Sequence, residues 1–312
     1  MNERRGTEKK VVGVGLACLD QLVLWRDVQA PVADNRILDF QVQGGGMVGT
    51  ALVTVARLGG KAEFWGAVGD DWMGQMILDG LRCEGVDTRY AAVVPGGRGP
   101  TVVVCVDRPT GERRFLYVAR LPQSVEPLGS LASLRGAGCL LVDGTHPNSA
   151  LRAAREARRL GVPVVADLSY IDEHAASLLA HVTYAIISDG CARQIADGGD
   201  HLAACRSVRG MGPQHVVITL GGRGLVYLDG DRPATMPAFD VKVIDTTGAG
   251  DVFHGALCYA VVKGIPFAEC LHLASAVAAM KCRQLGGRAG IPGWDEVVRF
   301  LVQRGVDWPE GR

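Results

Sequence analysis

The sequence predicts a doubly wound α/β fold, with a mostly parallel sheet, flanking helices and a small β lid. Between residues about 130 and 230, short apolar runs alternate with longer helical patterns, as in a sheet built from crossover connections. The runs lack polar alternation, which is typical of parallel strands covered on both faces. The runs are Cys139–Val142, Val162–Ala166, Val182–Ile187 and Val216–Leu220, and helical spacing occurs at Ala150–Leu160 and Leu202–Val208.

A second group of strands predicts the lid. Apolar and polar residues alternate from Leu38 to Gln43, the period-two pattern of a half-exposed strand. Thr101–Asp107 and Arg113–Ala119 flank a short polar segment, which predicts a hairpin. Exposed strand edges need covering, so the lid is predicted to join two copies of the chain as a homodimer. The predicted organisation is one domain, residues 1–312, with the lid formed by insertions at about 21–43 and 98–120; extra strands of the main sheet are the alternative.

Composition excludes several classes of function. Thirty-three basic and 33 acidic side chains give a formal net charge of zero, so there is no basic surplus to bind a nucleic-acid backbone. No apolar run approaches the roughly 18 residues that a membrane span needs. The nine cysteines are scattered and form no C-x-x-C pair, which is typical of buried thiols in a reducing cytoplasm. A cytoplasmic protein with a small ligand is predicted.

The segment Asp245–Asp251, Asp-Thr-Thr-Gly-Ala-Gly-Asp, carries the clearest chemistry. It is a glycine-rich turn directly before a helical pattern. Several backbone N–H groups without intrahelical partners therefore point at one spot near the positive end of the helix dipole. Gly248 and Gly250 lack Cβ atoms, which allows a phosphate to approach the main chain closely. The segment predicts an anion site.

Asp251 lies at the rim of this anion site, where a negative charge is unfavourable unless it has a role. A carboxylate here can accept a proton from a hydroxyl that attacks a γ-phosphoryl group, while the amides of Gly248 to Gly250 stabilise charge on that group. The structural alternative is a first-turn carboxylate that favours the helix dipole by about 0.3–1 kcal/mol. The glycines and threonines ahead of Asp251 favour the catalytic interpretation.

Upstream motifs strengthen this interpretation. They are Gly44-Gly45-Gly46, a helical pattern ending Ala56–Gly59, and Gly66–Gly74. Together with Asp245–Asp251, these motifs resemble the two signatures of the ribokinase (PfkB-type) carbohydrate kinases, in the family's order, over roughly residues 11 to 304. The resemblance implies a ribokinase-like fold, ATP and Mg²⁺ as cofactors, and phosphoryl transfer to a sugar-type hydroxyl.

The resemblance also implies roles for individual residues. The family's base is the last Asp of the signature and its anion hole is the turn before it, which here are Asp251, Gly248, Ala249 and Gly250. The family's nucleotide loop resembles Thr219–Gly224, which follows an apolar strand and offers a hydroxyl and main-chain donors, although a plain hairpin turn is the alternative. The implied nucleotide-binding residues are Ser188, Thr219, Gly221, Gly224, Gly248 and Gly250. The implied ligands of a monovalent cation such as K⁺ are Asp245 and Thr247.

Sugar hydroxyls in the family are held by an Asp after the first strand and by paired glycines, which match Asp20, Gly45 and Gly46. Asp20 ends an apolar strand, where a carboxylate can accept two hydroxyl hydrogen bonds, although a turn Asp would look the same. Thr50 stands where many sugar kinases have an Asn that touches the substrate. Ribose is therefore not assumed as the acceptor.

A second departure lies at Ser188-Asp189-Gly190-Cys191, where the family commonly carries Asn-x-x-Glu to organise magnesium-bound water and phosphate. Magnesium keeps much of its shell as water and phosphate oxygen, so Ser188 or Asp189 is the candidate replacement. His254, one turn after Asp251, either touches nucleotide, orients the base or is a packed histidine.

The acceptor is predicted as a ketohexose-type sugar. Asp251–Leu257, Lys281-Cys282 and Gly286–Pro292 are similar to the sulfofructose kinases within the family, which implies an anionic acceptor and paired basic groups. A nucleoside kinase on the same scaffold and a non-catalytic sugar- or nucleotide-binding regulator are the alternatives. The candidate basic groups on the predicted lid are Arg36, Arg98, Arg114 and Arg120.

Overall fold

The computed structural model describes residues 9–25, 37–107, 113–117, 124–125, 131–196, 199–306 and 308. The strands are β1 (Lys10–Val14), β2 (Cys18–Trp25), β3 (Ile37–Gly45), β4 (Lys61–Trp65), β5 (Ala67–Gly69), β6 (Val86–Asp87), β7 (Ala92–Val94), β8 (Thr101–Asp107), β9 (Arg113–Tyr117), β10 (Ala137–Asp143), β11 (Val164–Leu168), β12 (Tyr184–Ser188), β13 (His215–Thr219), β14 (Leu225–Asp229) and β15 (Arg232–Met236). The helices are α1 (Met47–Arg57), α2 (Trp72–Cys83), α3 (Pro147–Arg159), α4 (Glu173–Leu179), α5 (Asp189–Ile195), α6 (His201–Gly210), α7 (Ala249–Val262), α8 (Phe267–Lys281) and α9 (Trp294–Gln303).

The main sheet has nine strands in the order β15-β14-β13-β12-β11-β10-β1-β4-β6. In this sheet order, the seven neighbouring strands from β13 to β6 all pair in parallel. β14 and β15 pair antiparallel at one edge. The four predicted apolar runs are β10 to β13, each displaced by at most two residues from its predicted bounds. These strands are apolar throughout because helices cover both faces of the sheet.

Two apolar cores confirm the doubly wound arrangement. Buried side chains of α1, α2, α7, α8 and α9 pack on one face of the sheet, and those of α3, α4 and α6 pack on the other. Among the described residues, no helix is long and apolar enough to cross a membrane.

A separate four-stranded sheet has the order β3-β2-β8-β9. β8 and β9 pair antiparallel, as the predicted hairpin requires, while its turn and residues 118–119 lie outside the described residues. The prediction of a half-exposed strand at Leu38–Gln43 is wrong in one respect: residues Ile37–Val42 of β3 are exposed on both faces. β3 is an edge strand that nothing else among the described residues covers there, so the alternation does not lead to burial within one chain.

Candidate active site

Polar residues collect at the carboxyl edge of the main sheet. Asp143 and Asp167 lie side by side in register near the ends of β10 and β11, and Ser188 and Thr219 do so at the ends of β12 and β13. In open α/β sheets, ligands bind at this edge, where the connections diverge. The sheet therefore gathers residues that are up to 76 positions apart in the chain, from Asp143 to Thr219.

The N-terminus of α7 points into the same region. Gly248 precedes it in the left-handed conformation, with φ of 73°, and Val252 is the first residue to bond back, to the Gly248 carbonyl at 2.9 Å. The amides of Gly250 and Asp251 come before that bond and so have no intrahelical acceptor. The Ala249 amide, predicted as part of the anion hole, instead donates to the Thr246 carbonyl at 3.2 Å. Gly250 and Asp251 thus supply the better-placed donors.

A cavity of about 210 Å³ joins the predicted nucleotide loop to this helix end. Thr219, Gly221 and Gly224 line one side and Gly250 lines the other. A Cβ added at Gly250 would meet no atom within 4 Å, so open space faces its main chain. Sequence reasoning missed the mostly apolar wall, whose side chains come from the segment before α7 and from α8. These residues include Ala238, Phe239, Val241, Val243, Ser275, Ala278, Ala279 and Cys282.

Ser188 and Asp189 do not fit the predicted magnesium contact. The Ser188 hydroxyl accepts the Cys191 amide at 3.2 Å and caps α5, and Ser188 is absent from the described lining of the cavity. The Asp189 carboxylate lies 2.6 Å from His201, 3.2 Å from Arg193 and 2.8 Å from Arg223. These contacts, with His201 and then Arg193 contributing most, lower its pKa to about 2. Both side chains are engaged within the protein. In addition, no cluster of three His, Cys, Asp or Glu side chains suited to a metal occurs in the part of the chain that the structure describes.

Asp251 lies among carboxylates rather than alone. Its side chain is half-buried in the first turn of α7, and burial, followed by the nearby Asp167 charge, raises its pKa to about 7. Asp143 is buried and accepts the Leu16 and Thr145 amides at 2.8 Å each, yet burial raises its pKa to about 6. A carboxyl group with a pKa near neutrality is suited to accept a proton at physiological pH.

The predicted acceptor residues Asp20, Gly45 and Thr50 meet on the Asp251 side of the site. Asp20, predicted to end an apolar strand, is instead the third residue of β2. It is buried, and its carboxylate packs against Gly45, where an added Cβ would lie 2.1 Å from Oδ2. Gly46 has a φ of 85° and is the N-cap residue of α1.

Asp20 lies near the turn before α7, because a Cβ added at Gly287 would be 4.0 Å from Asp20 Oδ2 and one added at Gly248 would be 3.0 Å from the Gly287 carbonyl oxygen. Burial raises the pKa of Asp20, and the Asp20 charge contributes to the raised pKa of Asp251.

Arg288 is the main residue that sequence reasoning missed as a site residue. It is buried, donates from Nη2 to the Gly45 carbonyl at 2.7 Å, and places Nε 3.4 Å from Thr50 Oγ1. Its charge acts on both Asp20 and Asp251. Of the basic groups predicted from the lid, Arg98 and Arg114 are exposed, and Arg36 and Arg120 lie outside the described residues.

A family model described as pfkB family carbohydrate kinase matches residues 9–294. The chain belongs to the pfkB family of carbohydrate kinases. It is similar to the ribokinase of Bacillus subtilis, with 25% identity over 91% of this chain and 97% of that one. It is also similar to the fructokinase of Vibrio alginolyticus, with 28% identity over 83% of this chain and 92% of that one. Arabidopsis thaliana ribokinase, solved with ribose and ATP, has the same fold, with a TM-score of 0.83 and 24% identity over 95% of this chain and 99% of that one.

As a pfkB kinase, the chain is a phosphotransferase that uses ATP and acts on a sugar or nucleoside. The predicted monovalent-cation site beside its signature is already engaged internally. Asp245 Oδ1 accepts the Thr247 amide and hydroxyl at 2.9 and 2.8 Å, and Oδ2 accepts the Gly286 amide at 2.7 Å. The buried Lys281 ammonium donates to the Asp245 carbonyl at 3.0 Å. This ammonium places a positive charge beside the predicted cation ligands, which disfavours a second cation there.

Proposed function

We propose that this pfkB kinase transfers the γ-phosphoryl group of ATP to a hydroxyl of a ketohexose-type sugar, with Asp251 as the general base. One observation carries the proposal. Gly250 lines the nucleotide cavity, and the next residue, Asp251, belongs to the carboxylate cluster that holds Asp20. The site proposed for ATP and the site proposed for the sugar therefore meet at the Gly250–Asp251 peptide bond.

The proposed reaction depends mostly on position and charge. The N–H groups of Gly250 and Asp251, at the positive end of α7, stabilise negative charge on the transferred phosphoryl group. Asp20 accepts hydrogen bonds from acceptor hydroxyls and holds one of them beside Asp251, which removes its proton as the bond to phosphorus forms. The pKa of Asp251, raised to about 7, leaves a large fraction of the carboxylate ionised at neutral pH and makes it a stronger base than an ordinary carboxylate.

Magnesium would arrive on the nucleotide, since this ion keeps several waters and binds through substrate phosphates. It would neutralise phosphate charge. Because Ser188 and Asp189 are engaged within the protein, we assign no side chain of this chain as its ligand.

Arg288 favours an anionic member of the ketohexose class, such as sulfofructose. A guanidinium buried beside Asp20 and Gly45 provides the acceptor pocket with a fixed positive charge. Such a group binds a sulfonate or phosphate strongly when both are desolvated. With a neutral ketohexose, Arg288 would act only indirectly, through its hydrogen bond to the Gly45 carbonyl.

An ADP-release assay over fructose, sulfofructose, ribose and a nucleoside tests the proposal. We expect turnover with a ketohexose and its loss in Asp251→Asn. Asp295→Asn is the matched control, because Asp295 is also a first-turn carboxylate, on α9, and is exposed. Turnover with the nucleoside alone would contradict the acceptor class, and full turnover in Asp251→Asn would contradict the base.

We also propose a homodimer through the four-stranded sheet. β3 and β9 form its two edges and expose several large apolar side chains. These are Ile37, Leu38, Phe40, Val42, Phe115, Leu116 and Tyr117. Exposed apolar side chains at unpaired strand edges are typical of an interface, and a second copy would cover them. Light scattering should give a mass of twice the 33.0 kDa of one chain, and Phe40→Asp should reduce that mass to the mass of one chain. A wild-type monomer at micromolar concentration would contradict the dimer.

A further inference from the structure

His254 lies one turn after Asp251 on α7, is buried, and has oxygen atoms beside both ring nitrogens. Nδ1 is 2.8 Å from the Gly250 carbonyl and 3.3 Å from Asp167 Oδ2, and Nε2 is 3.4 Å from the Ile186 carbonyl. A neutral imidazole donates from one ring nitrogen only, whereas an imidazolium donates from both. Every one of these oxygens is an acceptor, so both ring nitrogens of His254 face positions that suit an N–H donor.

The sheet fixes these oxygens in place. Asp167 and Ile186 are register partners on β11 and β12, so the two oxygens that face the imidazole come from adjacent strands of the core. Asp167 is also the register partner of Asp143 on β10. His254 therefore connects the rigid edge of the main sheet to the first turn of α7.

We propose that His254 and Asp167 form a partly buried ion pair that orients the Gly250–Asp251 peptide and places its two charges beside the first turn of α7. The proposal rests on the proposed role of Asp251 as base. It makes His254 and Asp167 positioning residues, since their effect reaches the reaction through Gly250 and Asp251.

The orienting effect follows from peptide geometry. The Gly250 carbonyl and the Asp251 N–H belong to one planar peptide unit. A hydrogen bond from His254 to that carbonyl therefore fixes the direction of an N–H donor in the proposed anion hole. Because donors in such a hole act by being preorganised, loss of this bond lowers the rate rather than the affinity for ATP.

The electrostatic effect follows from the groups around Asp251. Burial and the carboxylates of Asp167, Asp20 and Asp143 raise its pKa, whereas His254 lowers it. Other titratable groups among the described residues that act on this cluster are Arg288, from the loop after α8, Cys18, at the start of β2, and Cys258, one turn after His254 on α7. Removal of the His254 charge should therefore move the ionisation of Asp251 to higher pH, and removal of the Asp167 charge should move it to lower pH.

Four variants test the pair through the pH dependence of kcat/KM. In His254→Leu and His254→Asn, we expect the acid limb to move up by about one pH unit, and in Asp167→Asn down by about one unit. His254→Asn keeps an N–H for the Gly250 carbonyl, so its plateau rate should stay within about threefold of wild type, while His254→Leu should lose tenfold or more. His272→Leu is the control, because His272 makes the same bond to the carbonyl four residues earlier, at 3.0 Å, but is exposed on α8.

Fixed acid limbs in both His254→Asn and Asp167→Asn would overturn the proposal, as would a plateau loss in His254→Leu no larger than in His272→Leu. Thermal melts and ATP binding check that each variant folds. If His254→Leu does not fold, the isosteric Asp167→Asn and the conservative His254→Asn decide. Asp251→Asn distinguishes failure of the proposed base from failure of the proposed ion pair. Full activity in Asp251→Asn would contradict the role of Asp251 as base. An inactive Asp251→Asn, together with unchanged acid limbs in His254→Asn and Asp167→Asn, would contradict the ion pair alone.

Discussion

The proposed nucleotide side and the proposed acceptor side of this site differ in composition. The nucleotide cavity consists of glycine main chain at positions 221, 222, 224 and 250, with an apolar wall. The acceptor side consists of side chains, namely Asp20, Asp143, Asp167, Asp251 and Arg288, which come from five separate segments. The two sides meet at the peptide bond between Gly250 and Asp251.

This difference separates binding from chemistry. A main-chain cradle holds phosphates by close approach and needs no charged side chain. In a cluster of buried and partly buried carboxylates, burial and mutual repulsion raise the pKa values, so such groups can accept protons near neutral pH. Substitutions on one side should therefore change one kinetic constant and leave the others alone.

The largest expected effect is on Asp251. Asp251→Asn keeps the shape of the side chain and removes its ability to accept a proton, so kcat should fall by roughly 10²- to 10⁴-fold. ATP affinity should change little, because the cavity is formed without this side chain. Steady-state kinetics and calorimetric ATP titration measure both, and equal losses in kcat and ATP affinity would show that the two sides are not separate.

The next effect is on Arg288. Arg288→Gln removes the buried charge beside Asp20, so the acceptor KM should rise about tenfold or more, with the ATP KM within about twofold. Arg283→Gln is the matched control, since Arg283 is exposed in the same loop. A larger change in the ATP KM than in the acceptor KM would place Arg288 on the other side of the site.

A small effect is expected from monovalent cations. Because the Lys281 ammonium already contacts Asp245, turnover in K⁺ should lie within about twofold of turnover in a bulky organic cation at equal ionic strength. Activation by tenfold or more in K⁺ would show that Asp245 and Thr247 bind the ion despite Lys281. Lys281→Met, which removes the competing ammonium, should strengthen any response to K⁺.

The smallest kinetic effect is expected at Ser188. Its hydroxyl caps α5, so Ser188→Ala should lower the free energy of unfolding by about 1 kcal/mol and leave the ATP KM unchanged. Chemical denaturation and steady-state kinetics distinguish this from direct nucleotide binding. An ATP KM raised tenfold without loss of stability would restore Ser188 to the nucleotide site.

The two sides also differ in how well the sequence predicts them. The glycine turns are local, so Gly221, Gly224 and Gly250 could be assigned from a few consecutive residues, and the alternating apolar runs predicted the sheet that aligns them. Arg288 and Lys281 could not be assigned, because their contacts with Gly45 and Asp245 span 243 and 36 positions of the chain.

One usable signal for the acceptor side was overlooked. Asp143 and Asp167 lie at or near the ends of apolar strands, the same pattern that singled out Asp20. Their neighbouring positions in register follow from the parallel sheet. The Ala249 amide is predicted to face the anion but donates to the Thr246 carbonyl within the turn. This hydrogen bond depends on the conformation of Gly248, which the motif alone does not specify.

The pH dependence of kcat/KM in the wild-type enzyme tests the central claim most directly. Asp251 must be ionised to accept a proton, and its pKa is raised to about 7, so the account predicts an acid limb centred near pH 7 that falls tenfold per pH unit below it. The limb belongs to the coupled carboxylates as a group. A profile that is flat from pH 5 to pH 8 would contradict a base held among buried acids where the two halves of the site meet.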